Sequence, residues 1–262
     1  MTNLTKTIDM PDGWIENPKT KEVSPTKLPV GLWVKTLLTL GNKLRFNLIT
    51  LAPELNGVPF QPEDLDTLYC HLGEKGYSIT EKDAKKAVLY AAMKHSYNPV
   101  VEELEYIENK SDIKPVDIDK LATEYLGTNS ELDDAKLAAC FVGAVARAFD
   151  HGCQMDYVLC LKGKQGIKKS TFWRTLGGEY FSDTMQKDLK DLRLCMNTCW
   201  VYEWAELESW TTSKQQVTLK GLITQRVDDF RPPYYSSMGR FPRKSILVGS
   251  VNEDSFLRDK TG

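Results

Sequence analysis

The sequence predicts an α/β domain with a mainly parallel sheet, preceded by a mostly helical domain. Three short, mostly apolar runs support this prediction: 155–161 (MDYVLCL), 200–207 (WVYEWAEL) and 245–252 (SILVGSVN). Each has the length of a buried strand, and helical stretches separate the three. Strands that alternate with helices are typical of a parallel sheet covered by helices. Before residue 155 the apolar residues recur mainly at helical spacing.

The N-terminal half shows local signals for each of its elements. A helix is predicted to begin near Gly31, and Asn56-Gly57 between two apolar runs predicts a small hairpin. Thr80 precedes acidic residues and a helical pattern, as an N-cap residue does. The predicted organisation is an extended arm over 1–30, a mostly helical domain over 31–135 and the α/β domain over 136–262.

Composition limits the classes of protein that fit. The chain has 262 residues, 41% hydrophobic and 27% charged, which is typical of a globular protein. No apolar run approaches the roughly 18 residues of a membrane span, and the N-terminus does not resemble a signal peptide. We therefore expect a cytoplasmic protein with no membrane partner. The six cysteines are expected to be reduced core thiols rather than metal ligands.

The stretch 161–172 (LKGKQGIKKSTF) fits the frame of a phosphate-binding loop, the Walker A motif of P-loop proteins. In that motif, glycines let backbone N–H groups surround phosphates, a lysine reaches the outer phosphates and a serine hydroxyl binds Mg²⁺. A strand before the loop and a helix after it complete the context. The predicted nucleotide-binding residues are Gly163, Lys164, Gln165, Gly166, Ile167, Lys168, Lys169, Ser170 and Thr171.

One position departs from the motif. Lys168 stands where a second glycine is usual. If this residue needs a glycine-like backbone, the loop is distorted, whereas freedom at Gly163 and Gly166 would let the loop tolerate a lysine. The alternative interpretation is a basic helix start that follows a turn and binds no nucleotide.

Polar residues at the ends of the second and third runs supply further chemistry. Glu203 and Glu206 end an apolar run, where one carboxylate can hold Mg²⁺ and the other can polarise a water molecule. We assign Glu203 to the metal and Glu206 to the water. Asn252 ends the third run, and its amide would orient water against the terminal phosphate. Each feature taken alone is also compatible with a strand end that reaches solvent.

The C-terminal half resembles the virulence-associated E family, P-loop proteins related to superfamily 3 helicases and found in primase–helicases of phages, plasmids and genomic islands. The matching pieces are 95–105 (HSYNPVVEELE), 141–172, 200–208 (WVYEWAELE), 220–234 and 241–262. The resemblance implies a catalytic role for Lys169, Glu206 and Asn252, a metal-binding role for Ser170 and Glu203, and ATP and Mg²⁺ as substrate and cofactor.

Two departures from the family bear on activity. Lys168 replaces the usual glycine, and the sequence ends at Gly262, where family members continue into an arginine pair and a further subdomain. Such ATPases supply an arginine finger to a neighbouring subunit, and the finger adds greatly to the rate. If the finger lies in that further subdomain, the resemblance implies a chain that binds nucleotide better than it hydrolyses it. No primase domain is recognised, so priming would need a separate primase.

The segment between Lys220 and Lys244 is the predicted DNA contact. It mixes basic residues, which track phosphates, with aromatic residues, which stack on bases. The candidates are Lys220, Arg231, Tyr235, Arg240, Arg243 and Lys244, with residues 234–239 as a hairpin tip. The alternative is a solvated basic loop whose aromatics belong to the core, since Asp228 and Asp229 neutralise part of the charge. Arg231 can equally serve structure or a neighbour's nucleotide.

Three functions remain open on the sequence. The first is a Mg²⁺- and ATP-dependent DNA helicase or translocase of a phage or mobile element, acting on single-stranded or fork DNA as a homo-oligomeric ring such as a hexamer. The second is a nucleotide-gated DNA-binding or assembly module with little hydrolysis, which the early C-terminus favours. The third is a small-molecule kinase, which the lack of an arginine-rich lid after residue 252 disfavours.

Overall fold

The strands and helices of the chain fall into two units, Met1–Asn98 and Pro99–Gly262. The structure is a computed structural model, and it describes residues 4–8, 10–186, 188–205, 213–235 and 237–252. The expected boundary at 135/136 lies later than this division. The physical reason is that the helix that begins at Pro99 packs against the helix Glu131–Phe149, so both belong to the second unit.

The first unit contains more strands than its helical pattern predicts. Its helices are α1 (Leu4–Thr7), α2 (Val30–Leu38), α3 (Pro62–Asp66), α4 (Leu68–Glu74) and α5 (Glu81–Met93). Its strands are β1 (Trp14–Glu16), β2 (Val23–Lys27), β3 (Leu44–Asn47), β4 (Ala52–Leu55), β5 (Val58–Pro59), β6 (Tyr77–Ser78) and β7 (Ser96–Tyr97). They form two sheets, β1-β2-β6 and β5-β4-β3-β7. The expected extended arm is thus part of a sheet, because β2 pairs with β6.

Local signals in this unit are confirmed. Asn56 and Gly57 both have positive φ (53° and 76°) and join the antiparallel strands β4 and β5, as their sequence predicts. The Thr80 hydroxyl accepts a hydrogen bond from the Asp83 N–H at 3.1 Å and caps α5. The buried face of α2, with Trp33 in it, packs against α5, which closes the core of this unit.

The second unit is a mixed α/β structure. Its helices are α6 (Pro99–Glu108), α7 (Leu121–Leu126), α8 (Glu131–Phe149), α9 (Lys169–Gly177), α10 (Leu189–Asn197) and α11 (Ser213–Thr224). Its strands are β8 (Leu159–Lys162), β9 (Phe181–Ser182), β10 (Val201–Ala205), β11 (Val227–Phe230), β12 (Gly239–Pro242) and β13 (Ile246–Val251). The three apolar runs of the sequence therefore contain β8, β10 and β13.

These three strands lie in one parallel sheet, in the order β8-β13-β10-β9. Strand β13, the last one among the described residues, thus lies between β8 and β10, and all six of its residues are buried there. Val251 is in register with Lys162, and Ser250 with Ala205. Because the strands are parallel, the carboxyl ends of β8, β13 and β10 meet at one edge of the sheet.

Helices α9 and α8 cover this sheet. The indole N–H of Trp173, on α9, donates to the Gly249 backbone oxygen at 3.3 Å, and that of Trp200 donates to the Ala144 oxygen on α8 at 3.0 Å. All six cysteines are free thiols, but they do not all lie in the core as expected: Cys140 and Cys199 are buried, whereas Cys70 is exposed. Burial raises the pKa of Cys140 to about 12, as is typical of an inert core thiol. Within the described ranges, every helix is too short or too polar to span a bilayer.

Candidate functional site

The loop between β8 and α9 has the strand–loop–helix setting that its sequence predicts. Gly166 has a φ of 88°, and Lys168 has a φ of 68° and a ψ of 30°. Both are left-handed conformations, which glycine adopts without strain but which cost another residue about 1 kcal/mol. Lys168 therefore takes the glycine-like backbone of the motif despite its side chain, and the glycines at 163 and 166 do not relieve it of that conformation.

The side chains of the loop differ in exposure. Gly163, Lys169 and Ser170 are half-buried, whereas the other predicted residues are exposed: Lys164, Gln165, Gly166, Ile167, Lys168 and Thr171. A Cβ placed on Gly163 would meet Cδ1 of Ile167, so the isoleucine side chain covers this glycine closely. A larger residue at 163 would displace the end of the exposed Ile167 side chain.

The Lys169 ammonium joins the loop to the end of β13. Its Nζ donates to the backbone oxygens of Gly163 (2.7 Å) and Lys164 (3.2 Å) and to Oδ1 of Asn252 (2.8 Å). Three acceptors match the three protons of an ammonium group. Two residues that the sequence predicts for one site, 83 positions apart, are thus in direct contact.

Glu203 lies next to this loop, on the central strand β10, and is 1% exposed. Its Oε1 accepts hydrogen bonds from two hydroxyls, those of Ser170 (2.8 Å) and Ser250. Its Oε2 is buried and has no hydrogen-bond partner among the described residues. A buried carboxylate oxygen without a donor is unfavourable by roughly 1–3 kcal/mol, so this atom is suited to a ligand that the protein does not itself supply.

These oxygens fit a Mg²⁺ ion. Ser170 donates its one hydroxyl proton to Glu203, which leaves the oxygen lone pairs for a cation. Mg²⁺ is typically held by one or two protein oxygens, with phosphate and water completing its shell. Across the described ranges there is no cluster of three or more His, Cys, Asp or Glu residues that could hold a metal without such partners. Glu206, the predicted water-polarising residue, lies outside the described residues.

Sequence reasoning missed Ser250. Its hydroxyl contacts the Glu203 carboxylate from the neighbouring strand. The signal for it was present: alternation with a period of two places residues 250 and 252 on the same face of a strand. A polar residue two positions before Asn252 was therefore a candidate for the same site.

Strands β11 and β12 form the predicted hairpin. They are antiparallel, with Phe230 paired to Gly239, so Gly239 belongs to a strand rather than to the predicted tip. The described residues 231–235, 237 and 238 lie between the two strands. The rings of Phe230 and Phe241 are 4.6 Å apart, and the Tyr235 ring meets Phe241 edge-on at 5.9 Å. The aromatic residues thus pack on one another, and Phe230 is buried, which agrees with the alternative that they belong to the core.

Arg243 does not lie on the surface of this hairpin. Its side chain is fully buried, and its Nε and Nη2 donate to the two oxygens of Asp228 at 2.9 and 2.8 Å. Nη1 donates to the Leu222 backbone oxygen, and Asn197 donates to Asp228 at 2.9 Å. Lys244 is also buried, and burial lowers its pKa to about 8. This burial corrects the prediction that Arg243 and Lys244 contact DNA.

The other predicted DNA contacts remain accessible. Lys220, Arg231 and Arg240 are exposed, and Tyr235 is half-buried. Arg240 lies 3.5 Å from Asp229 across the hairpin, with both side chains largely in solvent. A surface pair of this kind is weak, so its arginine can exchange to another anion at little cost.

Residues 101–262 match the family model of the virulence-associated protein E-like domain. Among solved structures, the chain is similar to the apo structure of the NrS-1 C-terminal region, at 15% sequence identity and a TM-score of 0.42. That similarity covers 84% of this chain and 55% of the other, so this chain spans about half of its length. A comparison with curated proteins gives no match.

Proposed function

Because this chain belongs to the virulence-associated protein E-like family, we propose that it is a Mg²⁺-dependent ATPase that acts on DNA in the replication of a phage or mobile element. The observation that carries the proposal is the Ser170–Glu203 pair. A hydroxyl with free lone pairs and a buried carboxylate oxygen without a partner adjoin a loop of phosphate-binding sequence. The alternative interpretation, a basic helix start that binds no nucleotide, gives no reason for a buried glutamate there.

The loop residues would bind the phosphates. Lys169 already has a hydrogen-bonded ammonium at the loop, and it would exchange protein oxygens for phosphate oxygens when ATP binds. Backbone N–H groups at the start of α9 would meet the same phosphates, where the helix dipole favours negative charge. Lys169 and the helix end therefore act on the same part of the nucleotide.

Ser170 and Glu203 would hold the Mg²⁺ ion. When bound, Mg²⁺ neutralises the charge that develops on the transferred phosphoryl group. Asn252 adjoins Lys169 and would orient the attacking water by its amide. In this proposal Glu206 polarises that water, as the sequence suggests.

The hairpin would contact single-stranded or fork DNA through its exposed cations. Arg231 and Arg240 lie at or near the tip, and β12 continues through residues 243–245 into β13, which ends next to Asn252. A change at the nucleotide would therefore reach the hairpin by a short path along the chain. A homo-oligomeric ring and a separate primase belong to this proposal as partners.

The test is ATP turnover with and without Mg²⁺ and single-stranded DNA, together with light scattering for the mass of the assembly. Lys169→Ala should lower nucleotide affinity roughly 10- to 100-fold, the effect of removing a charged hydrogen-bond donor. Lys190→Ala, which removes an exposed lysine in the first turn of α10, is the matched control and should change nothing.

The outcomes separate the open functions. Turnover that DNA stimulates supports the translocating ATPase. Nucleotide binding with negligible turnover at every protein concentration would instead favour the nucleotide-gated assembly module. Equal nucleotide affinity in wild type, Lys169→Ala and Lys190→Ala would contradict the loop assignment.

A further inference from the structure

Ser250 lies on β13, is buried and donates a hydrogen bond to Oε1 of Glu203. Ser170 donates to the same oxygen from the other side of the site, from the first turn of α9. The second carboxylate oxygen, Oε2, receives no hydrogen bond from any described residue. The two oxygens of one buried carboxylate are therefore chemically distinct.

We propose that Ser250 is a positioning residue that fixes the Glu203 carboxylate, so that Oε2 is the oxygen left for Mg²⁺ or for a water bound to it. This inference rests on the proposed function of the site. Ser250 itself contacts neither nucleotide nor metal. It acts through Glu203.

The need for such a residue follows from the chemistry of a glutamate side chain. The terminal torsion of glutamate is broad and roughly two-fold, so rotation readily exchanges its two oxygens. Two hydroxyl donors on Oε1 oppose that rotation. One of them, Ser170, is itself a proposed metal ligand, whereas Ser250 is anchored in the centre of the sheet, in register with Ala205 of β10.

A residue that, like Ser250, holds a proposed metal ligand in place should affect metal binding more than nucleotide binding. Residues that hold metal ligands in place typically change metal affinity about 10- to 100-fold when they are replaced. Ser250→Ala should therefore raise the Mg²⁺ concentration needed to strengthen nucleotide binding by about 10-fold. Binding without Mg²⁺ should stay within about twofold of wild type, because the loop and Lys169 are unchanged.

The experiment is a Mg²⁺ titration of the affinity for a fluorescent, non-hydrolysable ATP analogue, so no turnover is involved. Ser250→Thr keeps a hydroxyl on the strand and should restore the wild-type Mg²⁺ dependence. Ser245→Ala is the matched control: it removes a hydroxyl that is also buried, one residue before the same strand, but has no hydrogen-bond partner among the described residues. It should behave as wild type.

A double-mutant cycle tests whether Ser250 acts through Glu203. In a Glu203→Gln background, Ser250→Ala should have no further effect on the Mg²⁺ dependence. A further loss of similar size would show that Ser250 acts elsewhere and would overturn the proposal. So would wild-type Mg²⁺ dependence in Ser250→Ala, equal loss with and without Mg²⁺, or a Ser250→Thr variant that behaves like Ser250→Ala.

Failure of this inference is distinguishable from failure of the proposed function. If wild type and Ser245→Ala bind the analogue in a Mg²⁺-dependent way and Ser250→Ala does the same, the nucleotide site stands and the role of Ser250 is lost. If wild type shows no Mg²⁺-dependent binding, the proposed function itself is wrong.

Discussion

Replacing Arg243 with alanine is expected to destabilise the second unit severely. The guanidinium is fully buried and makes two hydrogen bonds to Asp228, whose carboxylate is also fully buried. Without it, the Asp228 carboxylate keeps the Asn197 amide as a donor but loses its charge partner. Removing one partner of a buried ion pair costs about 3–5 kcal/mol, because the other charge stays buried and uncompensated.

That loss is a large fraction of the roughly 5–15 kcal/mol by which a typical domain is stable. The assay is urea unfolding at pH 7, followed by hydrogen exchange of peptides from β11, β12 and β13, so that the unit concerned is observed directly. The matched control is Arg240→Ala on the same hairpin. The Arg240 side chain is 80% exposed, and its pair with Asp229 should contribute at most about 1 kcal/mol.

Two results would refute this reasoning. The first is a loss of less than about 1 kcal/mol in Arg243→Ala, which would mean that the Asp228–Arg243 pair is not buried as described. The second is an equal loss in Arg240→Ala and Arg243→Ala, which would remove the distinction between the buried and the exposed cation.

Three further predictions concern the loop, a helix start and the hairpin. Lys168→Gly should raise the free energy of unfolding by about 1 kcal/mol, because glycine relieves the left-handed backbone; urea unfolding checks this, and a destabilised variant would contradict it. Hydrogen bonds from Thr123 hold the pKa of Asp134 below its usual value, so the carboxylate stabilises the fold above about pH 4, and this contribution is lost as pH falls through the lowered pKa. Asp134→Asn should thus be less stable than wild type at pH 7, and this deficit should shrink as the pH falls below about 4, measured by urea unfolding at a series of pH values; a deficit of the same size at every pH would contradict the prediction. Replacing Lys220, Arg231 and Arg240 by alanine should reduce the salt dependence of single-stranded DNA binding by up to about 0.7 per lost phosphate contact, and an unchanged slope would place the DNA site elsewhere.

Three strands of the parallel sheet, β8, β10 and β13, were predictable because each lies in a short apolar run with polar residues at its end. The two-residue strand β9 was not predicted. The order of the strands was not predictable. The position of β13 between β8 and β10 depends on contacts between residues that are far apart in the chain, and hydrophobic periodicity carries no information about them. That order brings Asn252, after β13, next to Lys169, which follows β8. From the sequence one could expect only that both residues lie at the same edge of the sheet, not that they are in contact.

The burial of Arg243 could not be predicted from the order of charged residues in the sequence. In the sequence it is one of six basic residues between Lys220 and Lys244, and Asp228 counts as partial neutralisation of a surface segment. Folding of the hairpin turns both residues inward, where they neutralise each other in the core. The two residues are 15 positions apart in the sequence, and their pairing depends on strand register, which the sequence does not show.

The sequence predicted the type of loop but not the backbone conformation of every residue in it. Its lysine and serine follow a motif with a known physical basis, whereas the backbone of Lys168 could be settled only by the structure. The sequence left two alternatives, a distorted loop or freedom elsewhere. The structure matches neither alternative, because Lys168 itself adopts the left-handed backbone conformation that the motif usually gives to a glycine.

We propose that the loop and Glu203 form one site for nucleotide and Mg²⁺. The most direct test of this proposal is calorimetric titration of wild type and Glu203→Gln with a non-hydrolysable ATP analogue, with and without Mg²⁺. Mg²⁺ should strengthen binding to wild type. Glu203→Gln should keep the Mg²⁺-free affinity but lose most of this gain, because the amide cannot replace the charged oxygen at the cation. Equal strengthening by Mg²⁺ in both proteins, or no binding to wild type, would contradict the proposal.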